Sequence, residues 1–204
     1  MSLALIPAAG ASRRMGRAKL LLPIAGTTVV GATVEALLAG GAAASPAGVC
    51  LVVRPEDGPL HRWAAERGLR LAENPAPDRG MLSSILAGLD ALGGVEGVAA
   101  AGGSLLVCPA DLPELAASTV AAVLARLGRG ATLAVPVHGG RRGHPLGIAP
   151  PRIADLPGLD PEVGLRQLLA AHPDEVAETE VDDPGCLRDV DTPADYDRAR
   201  TSSS

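Results

Sequence analysis

The chain has 204 residues and a formal charge of −5, a length that suits one domain with a sizeable core. Mild acidity and only two aromatics, Trp63 and Tyr196, argue against a nucleic-acid stacking surface. Cys50, Cys108 and Cys186 are too far apart for a disulfide framework or a zinc site, and read as small buried hydrophobes in a reducing, cytoplasmic setting.

The predicted elements alternate. Ser2 to Pro7 is an apolar run ending in a Pro-Ala-Ala-Gly turn and reads as the first strand. It reaches glycine too early, and lacks the basic start, for a signal peptide. Thr28 to Leu38 has helical spacing in Val30, Val34, Leu37 and Leu38. The uncharged run from Ala36 to Val53 is long enough for a membrane span, but its glycines and Pro46 break it into helix, turn and strand. Val49 to Val53 is thus a buried parallel strand. A helix over Pro59 to Arg67 and a strand over Leu69 to Glu73 follow. Met81 to Leu92 is a helix stopped by Gly93-Gly94, and Ser104 to Cys108 another buried strand. A helix over Ala116 to Leu127 precedes strands at Thr132 to Val137 and Leu146 to Ala149, which flank a Gly- and Arg-rich hairpin tip. A short helix over Gly164 to Ala171, a strand over Val176 to Val181 and a helix from Thr192 to about Arg200 complete the chain. Thr192, Pro193 and Asp195 supply the cap of that last helix, a variant of the capping box.

This pattern predicts α/β architecture: a Rossmann-like, three-layer, open mixed sheet, mostly parallel, with a small β-hairpin excursion. One domain is expected over 1–200, with 201–204 a disordered tail. Ligands of such sheets bind at the carboxyl ends of the strands.

The loop after the first strand, 7–19, holds two glycines, Ser12, three arginines and Lys19, with no acid. Turn amides and cations of this kind suit a polyphosphate. Walker A spacing fails, since Lys19 lies three residues after Gly16 and Leu20 follows it. A GxGxxG fingerprint fails at Gly10-Ala11-Ser12. Lys19 is the sole lysine beside 17 arginines. A coding bias explains why lysine is rare, but not where the one lysine sits.

Four later segments also carry candidate chemistry. Asn74, Gly80, Ser83 and Ser84 surround the start of a helix whose free N–H groups can meet a nucleotide, although plain capping explains either serine as well. Asp111 lies just past a buried strand, too early to cap the next helix, and offers hard oxygen to a metal ion. Gly139 to Pro145 form the hairpin tip that carries Arg142, Gly143, His144 and Pro145, and its two arginines, Arg141 and Arg142, read equally as phosphate-binding or as solvated. Asp189 and Asp191 alternate on an extended segment and so point to one side. His61, His138 and His172 have no ligand spacing and read as structural or exposed.

The run Ala8-Ala9-Gly10-x-Ser12-x-Arg14-Met15-Gly16-x-x-Lys19-x-Leu21-Leu22-Pro23-x-x-Gly26 resembles the signature loop of the molybdenum-cofactor nucleotidyltransferases, within a superfamily that includes sugar-nucleotide pyrophosphorylases. The resemblance implies nucleotide contacts from Ala8, Ala9, Gly10, Ala11, Ser12, Arg14, Gly16 and Lys19, with Arg14, Lys19 and Asp111 catalytic. It implies Mg²⁺ (or Mn²⁺) on Asp111 with Asp189 or Asp191, Asp189 being preferred. It implies transfer of CMP from CTP to molybdopterin, Ala-Ala-Gly resembling the cytidylyltransferase branch and Ala-Gly-Gly the guanylyltransferase branch. The Gly-His-Pro tip would then bind the acceptor, and molybdoenzymes or their chaperones would be transient partners. Ala194 stands where the family usually has Glu. GTP as donor, a sugar or polyol phosphate as acceptor, and a non-catalytic nucleotide-binding chaperone stay open at this point.

Overall fold

The computed structural model describes residues 2–10, 19–101 and 103–202. Strand β1 (Leu3–Pro7) is followed by a small hairpin of β2 (Pro23–Ile24) and β3 (Thr27–Thr28), then helix α1 (Val29–Ala39). Next come β4 (Val49–Val53), α2 (Gly58–Glu66), β5 (Arg70–Glu73), α3 (Met81–Ala91) and α4 (Gly94–Ala100). The second half runs β6 (Leu105–Val107), α5 (Ala117–Gly128), β7 (Leu133–His138), β8 (Arg141–Arg142), β9 (Leu146–Ile148) and α6 (Pro150–Ile153). It ends with α7 (Leu165–Ala171), β10 (Val176–Glu180) and α8 (Pro193–Ser202).

Eight strands form one sheet in the order β10-β7-β9-β6-β1-β4-β5, with β8 paired to β7. The pairs β1–β4, β1–β6, β4–β5 and β7–β10 are parallel. Strand β9 runs antiparallel between β6 and β7. The expected hairpin excursion is therefore smaller than its two predicted strands. Strands β7 and β9 are full members of the sheet, and only the β8 tip departs from its path. The β2–β3 hairpin forms a second, two-stranded sheet that the sequence pattern did not mark.

Period-two alternation explains the layers. Ala4 and Ile6, Val49, Leu51 and Val53, and Leu106 point to one face, where α1, α2, α5 and α8 cover them. Leu5, Cys50, Val52, Leu105 and Val107 point to the other, under α3, α4, α6 and α7. Both faces are dry, so the central strands are apolar throughout. All three cysteines are free and buried. Burial pushes the thiols of Cys50 and Cys186 up to about 11.

Three local differences have physical causes. Gly93 (φ +89°) and Gly94 (φ +71°) end α3, but the chain restarts as α4 instead of entering a loop. The tight restart needs glycine again at Gly97, where a Cβ would lie 2.4 Å from the Leu92 carbonyl oxygen. Thr201 and Ser202, expected in a disordered tail, are the last residues of α8. Their hydroxyls donate to the carbonyls of Asp197 and Arg198, continuing the helix. No single described helix is long and apolar enough to cross a membrane. The one pair that qualifies together, α3 with α4, is bent by 58°.

Candidate active site

A cavity of about 420 Å³ opens at the carboxyl end of the sheet. Ala8, Ala9 and Gly10 after β1 form one wall, and Pro77, Gly80, Met81 and Ser84 at the start of α3 form another. Lys19, Pro109 to Asp111, and Asp191 close it. The ladder brings these segments together: the Ala8 N–H donates to the Val52 carbonyl (2.8 Å), and the Cys108 N–H to the Leu5 carbonyl (3.1 Å). Pro109 then removes the donor that would prolong β6, so the chain turns and presents Asp111.

Asp111 is held from both sides by a buried residue of α1. Thr33 Oγ1 accepts from the Leu112 N–H (3.1 Å) and lies 3.3 Å from the Ala110 carbonyl. Thr33 has no exposed surface. The Asp111 carbonyl in turn accepts from the Val190 N–H (3.0 Å), which brings the segment of Asp189 and Asp191 alongside.

Lys19 opens a single turn over Lys19–Leu21, anchored by buried Leu20. Its Nζ donates to Asp111 Oδ2 at 2.6 Å and to Asp191 Oδ1 at 2.9 Å. Only 12% of the Lys19 side chain and 17% of Asp111 are exposed, so these charges meet in a poorly hydrated place. Burial disfavours the ammonium, but the charge and hydrogen bond of Asp111, together with Asp191, outweigh it and raise its pKa. Lys19 is therefore a fixed cation.

Asp191, rather than Asp189, lines the cavity and touches Lys19. Asp189 stands outside the lining, exposed. Loss of hydration, then the like charges of Asp191 and Asp111, push its carboxyl above the usual aspartate value. Asn74 and Ser83 are also set back. Asn74 is buried, its amide donating to Ser83 Oγ (2.8 Å) and Ser84 Oγ (2.9 Å) while its carbonyl accepts from the Ala76 N–H. It therefore shapes the turn before Gly80 and does not face the cavity. Gly80 (φ +87°) makes that turn with a backbone that a side chain would strain.

The hairpin tip stands apart from the cavity lining. Arg142 pairs with Glu178 of β10 at 2.7 Å, which turns it toward the sheet edge. The Gly143 N–H donates to the Pro136 carbonyl and the His144 N–H to the Cys186 carbonyl. A Cβ on Gly143 would lie 2.6 Å from Cys186 Sγ, so only glycine packs there. His144, joined to Pro145 by a cis bond, has a buried Nδ1 without a hydrogen-bond partner. Burial lowers its pKa against the opposing charge of Asp111, so the ring is neutral. His61, His138 and His172 each meet protein groups elsewhere, as a structural role requires. Ala11, Ser12, Arg14 and Gly16 lie outside the described residues. The signals that sequence reasoning missed are Thr33, one hydroxyl in an apolar helix, and Arg54, one arginine among seventeen.

The mixed, mostly parallel sheet with helices on both faces is the nucleotide-diphospho-sugar transferase fold, and its candidate site lies at the carboxyl ends of the strands. The chain belongs to the MobA-like NTP transferase domain family, whose model matches residues 4–176. The molybdenum cofactor cytidylyltransferase of Escherichia coli (strain K12) is 25% identical over 197 residues, 96% of this chain and 94% of its own length. A nucleotidyl transferase structure from Methanothermobacter is 25% identical with a TM-score of 0.80, covering 100% of this chain and 97% of that one. Rv0371c from Mycobacterium tuberculosis H37Rv is also 25% identical, with a TM-score of 0.77, covering 98% of this chain and 97% of its own.

Proposed function

We propose that this nucleotidyltransferase moves CMP from CTP to the terminal phosphate of a molybdopterin acceptor, with a divalent cation, Mg²⁺ or Mn²⁺. The observation that carries the reading is Lys19 held between Asp111 and Asp191 at the mouth of a nucleotide-sized cavity. The whole-length likeness to the Escherichia coli cytidylyltransferase supports the donor and acceptor.

The carboxylates suit a hard cation. Asp111 and Asp191 offer oxygen at the cavity, and Asp189 adds a third negative charge beside a single ammonium among the described residues. No group of three or more His, Cys, Asp or Glu among the described residues is placed to hold an ion alone. In this reading Asp111 and Asp191 would supply the one or two carboxylates that Mg²⁺ takes, with water and substrate phosphate completing its shell. When bound, such an ion would neutralise charge on the transferring phosphate.

The rest of the work is positioning. The acceptor's phosphate oxygen attacks the α-phosphorus in line, the bond from that phosphorus to the bridging oxygen breaks, and pyrophosphate leaves. A phosphate nucleophile is already ionised at neutral pH, so no strong base is needed. The Ala8 to Gly10 turn and the start of α3 form the walls that hold the nucleotide. Lys19 supplies fixed positive charge where negative charge develops. In this reading the segment from Arg142 to Pro145 lies on the acceptor side, and Arg14 with the Gly10 to Gly16 amides holds the outer phosphates.

Pyrophosphate release from CTP, GTP, UTP and ATP with purified molybdopterin tests the reading. CTP is expected to be turned over fastest, and Asp111→Asn to lower the rate at least about a hundredfold. Undiminished release by Asp111→Asn removes the metal assignment. Turnover only with a sugar or polyol phosphate replaces the acceptor.

A further inference from the structure

Arg54 follows β4 at the same edge of the sheet but is not part of the cavity lining. Its Nε donates to the Ala9 carbonyl at 2.7 Å. Another nitrogen of the same guanidinium stands 3.6 Å from Asp78 Oδ1, and a third 3.4 Å from Glu56. Ala9 belongs to one wall of the cavity. Asp78 lies in the turn over Pro77–Arg79, which delivers Gly80 to the facing wall. One side chain thus spans the two loops between which the cavity opens.

The mount of this side chain is itself fixed. The Arg54 carbonyl accepts from the Asp57 N–H (3.1 Å) and lies 3.0 Å from His61 Nε2. His61 Nδ1 is 3.8 Å from Glu73 at the end of β5. The Asn74 N–H continues the β4–β5 ladder to the Val53 carbonyl (2.9 Å). Arg54 is therefore rooted in two strands and a helix, and only its guanidinium reaches the loops. A planar fork can hold a carbonyl and two carboxylates in different directions at once, which a lysine ammonium on a flexible stem does not do.

We propose that Arg54 is a positioning residue that sets the separation of the Ala9 wall and the Pro77-to-Gly80 wall, and through it the affinity for the nucleoside triphosphate. This rests on the nucleotidyl-transfer reading, in which those walls hold the nucleotide. The effect falls on substrate and transition state alike, because both are gripped by the same walls. It belongs in Kd and KM, not in kcat.

The test compares wild type, Arg54→Met, Arg54→Lys and Asp78→Asn by equilibrium binding of CTP and GTP, steady-state pyrophosphate release and thermal melting. Arg54→Met should raise Kd and KM about tenfold, the size of one lost charge-assisted hydrogen bond, with kcat within about threefold of wild type. Arg54→Lys should fall between the two. Asp78→Asn, at a position 78% exposed, should raise Kd about twofold without lowering the melting temperature. A purely structural arginine would lower melting and leave Kd alone. Wild-type Kd in folded Arg54→Met, or a loss of kcat at unchanged KM, overturns the proposal. If Arg54→Met does not fold, the same criteria apply to Arg54→Lys and Asp78→Asn. Should wild type bind nucleotide yet transfer it to no phosphate acceptor, the transfer reading falls while Kd still decides the role of Arg54. If wild type binds neither nucleotide, both fall.

Discussion

Lys19 shows how much one side chain can be asked to do. Its Nζ meets two carboxylates at 2.6 and 2.9 Å in a place where little of it is exposed. A guanidinium there is larger, spreads its charge over a plane, and would have to displace one carboxylate or leave the contact. Lys19→Arg is therefore expected to lower pyrophosphate release about a hundredfold with circular dichroism and melting unchanged. Wild-type rates in that variant would return the single lysine to compositional accident. The sequence made Lys19 and Asp111 legible because both follow buried strands where ligands gather. Thr33 and Arg54 were not legible, because their partners, the backbone around Asp111 and the Ala9 carbonyl, are neighbours only after the sheet assembles. Asn74 was legible as an oddity, but its buried amide is spent on Ser83, Ser84 and Ala76, which no spacing rule reveals.

Among the elements, α8 was the most readable and carries a titratable cap. Asp195 Oδ2 accepts from the Thr192 N–H (2.9 Å) and Thr192 Oγ1 (2.7 Å), while the Asp195 N–H donates to Thr192 Oγ1. Its hydrogen bonds, from Thr192 first and then Arg198, hold its carboxyl down to about 2. The unfolded value is about 3.9. A depressed folded pKa means that the stabilisation is present above about pH 4 and lost as pH falls through about 2. Asp195→Asn should therefore melt lower than wild type at pH 7, by about 1 kcal/mol. The gap should close between pH 4 and pH 2, and a constant gap would show that the charge is not what stabilises the cap. The same carboxylate lies 3.3 Å from the Asp191 N–H, so capping the helix also steadies a residue of the cavity. Helix α4 was missed, as were the β2–β3 hairpin and the short helix α6. A Gly-Gly pair is a strong local stop signal, whereas the restart as α4 rests on the close approach at Gly97 and on Val98 packed in the core, which exist only once the chain is folded.

For the whole molecule, the alternation of strands and helices revealed the layers but not the sheet order. Nothing local shows that β9 inserts antiparallel between β6 and β7, since that depends on long-range pairing. The paired faces follow from alternation within each strand, and they explain why the site sits on an unyielding edge. The clasp of Thr33 on both sides of Asp111 adds a consequence in time. The Leu112 amide lies in a loop, where exchange with deuterium is ordinarily fast, yet its acceptor is a hydroxyl with no exposed surface. It is released only when α1 lifts from the sheet, which is a global opening. Leu112 is thus expected to exchange as slowly as the amides of β6, and exchange at loop rates would show the clasp to be transient. A candidate-site loop held in this way would open as slowly as the core strands, so a substrate would meet an arrangement made before it arrives.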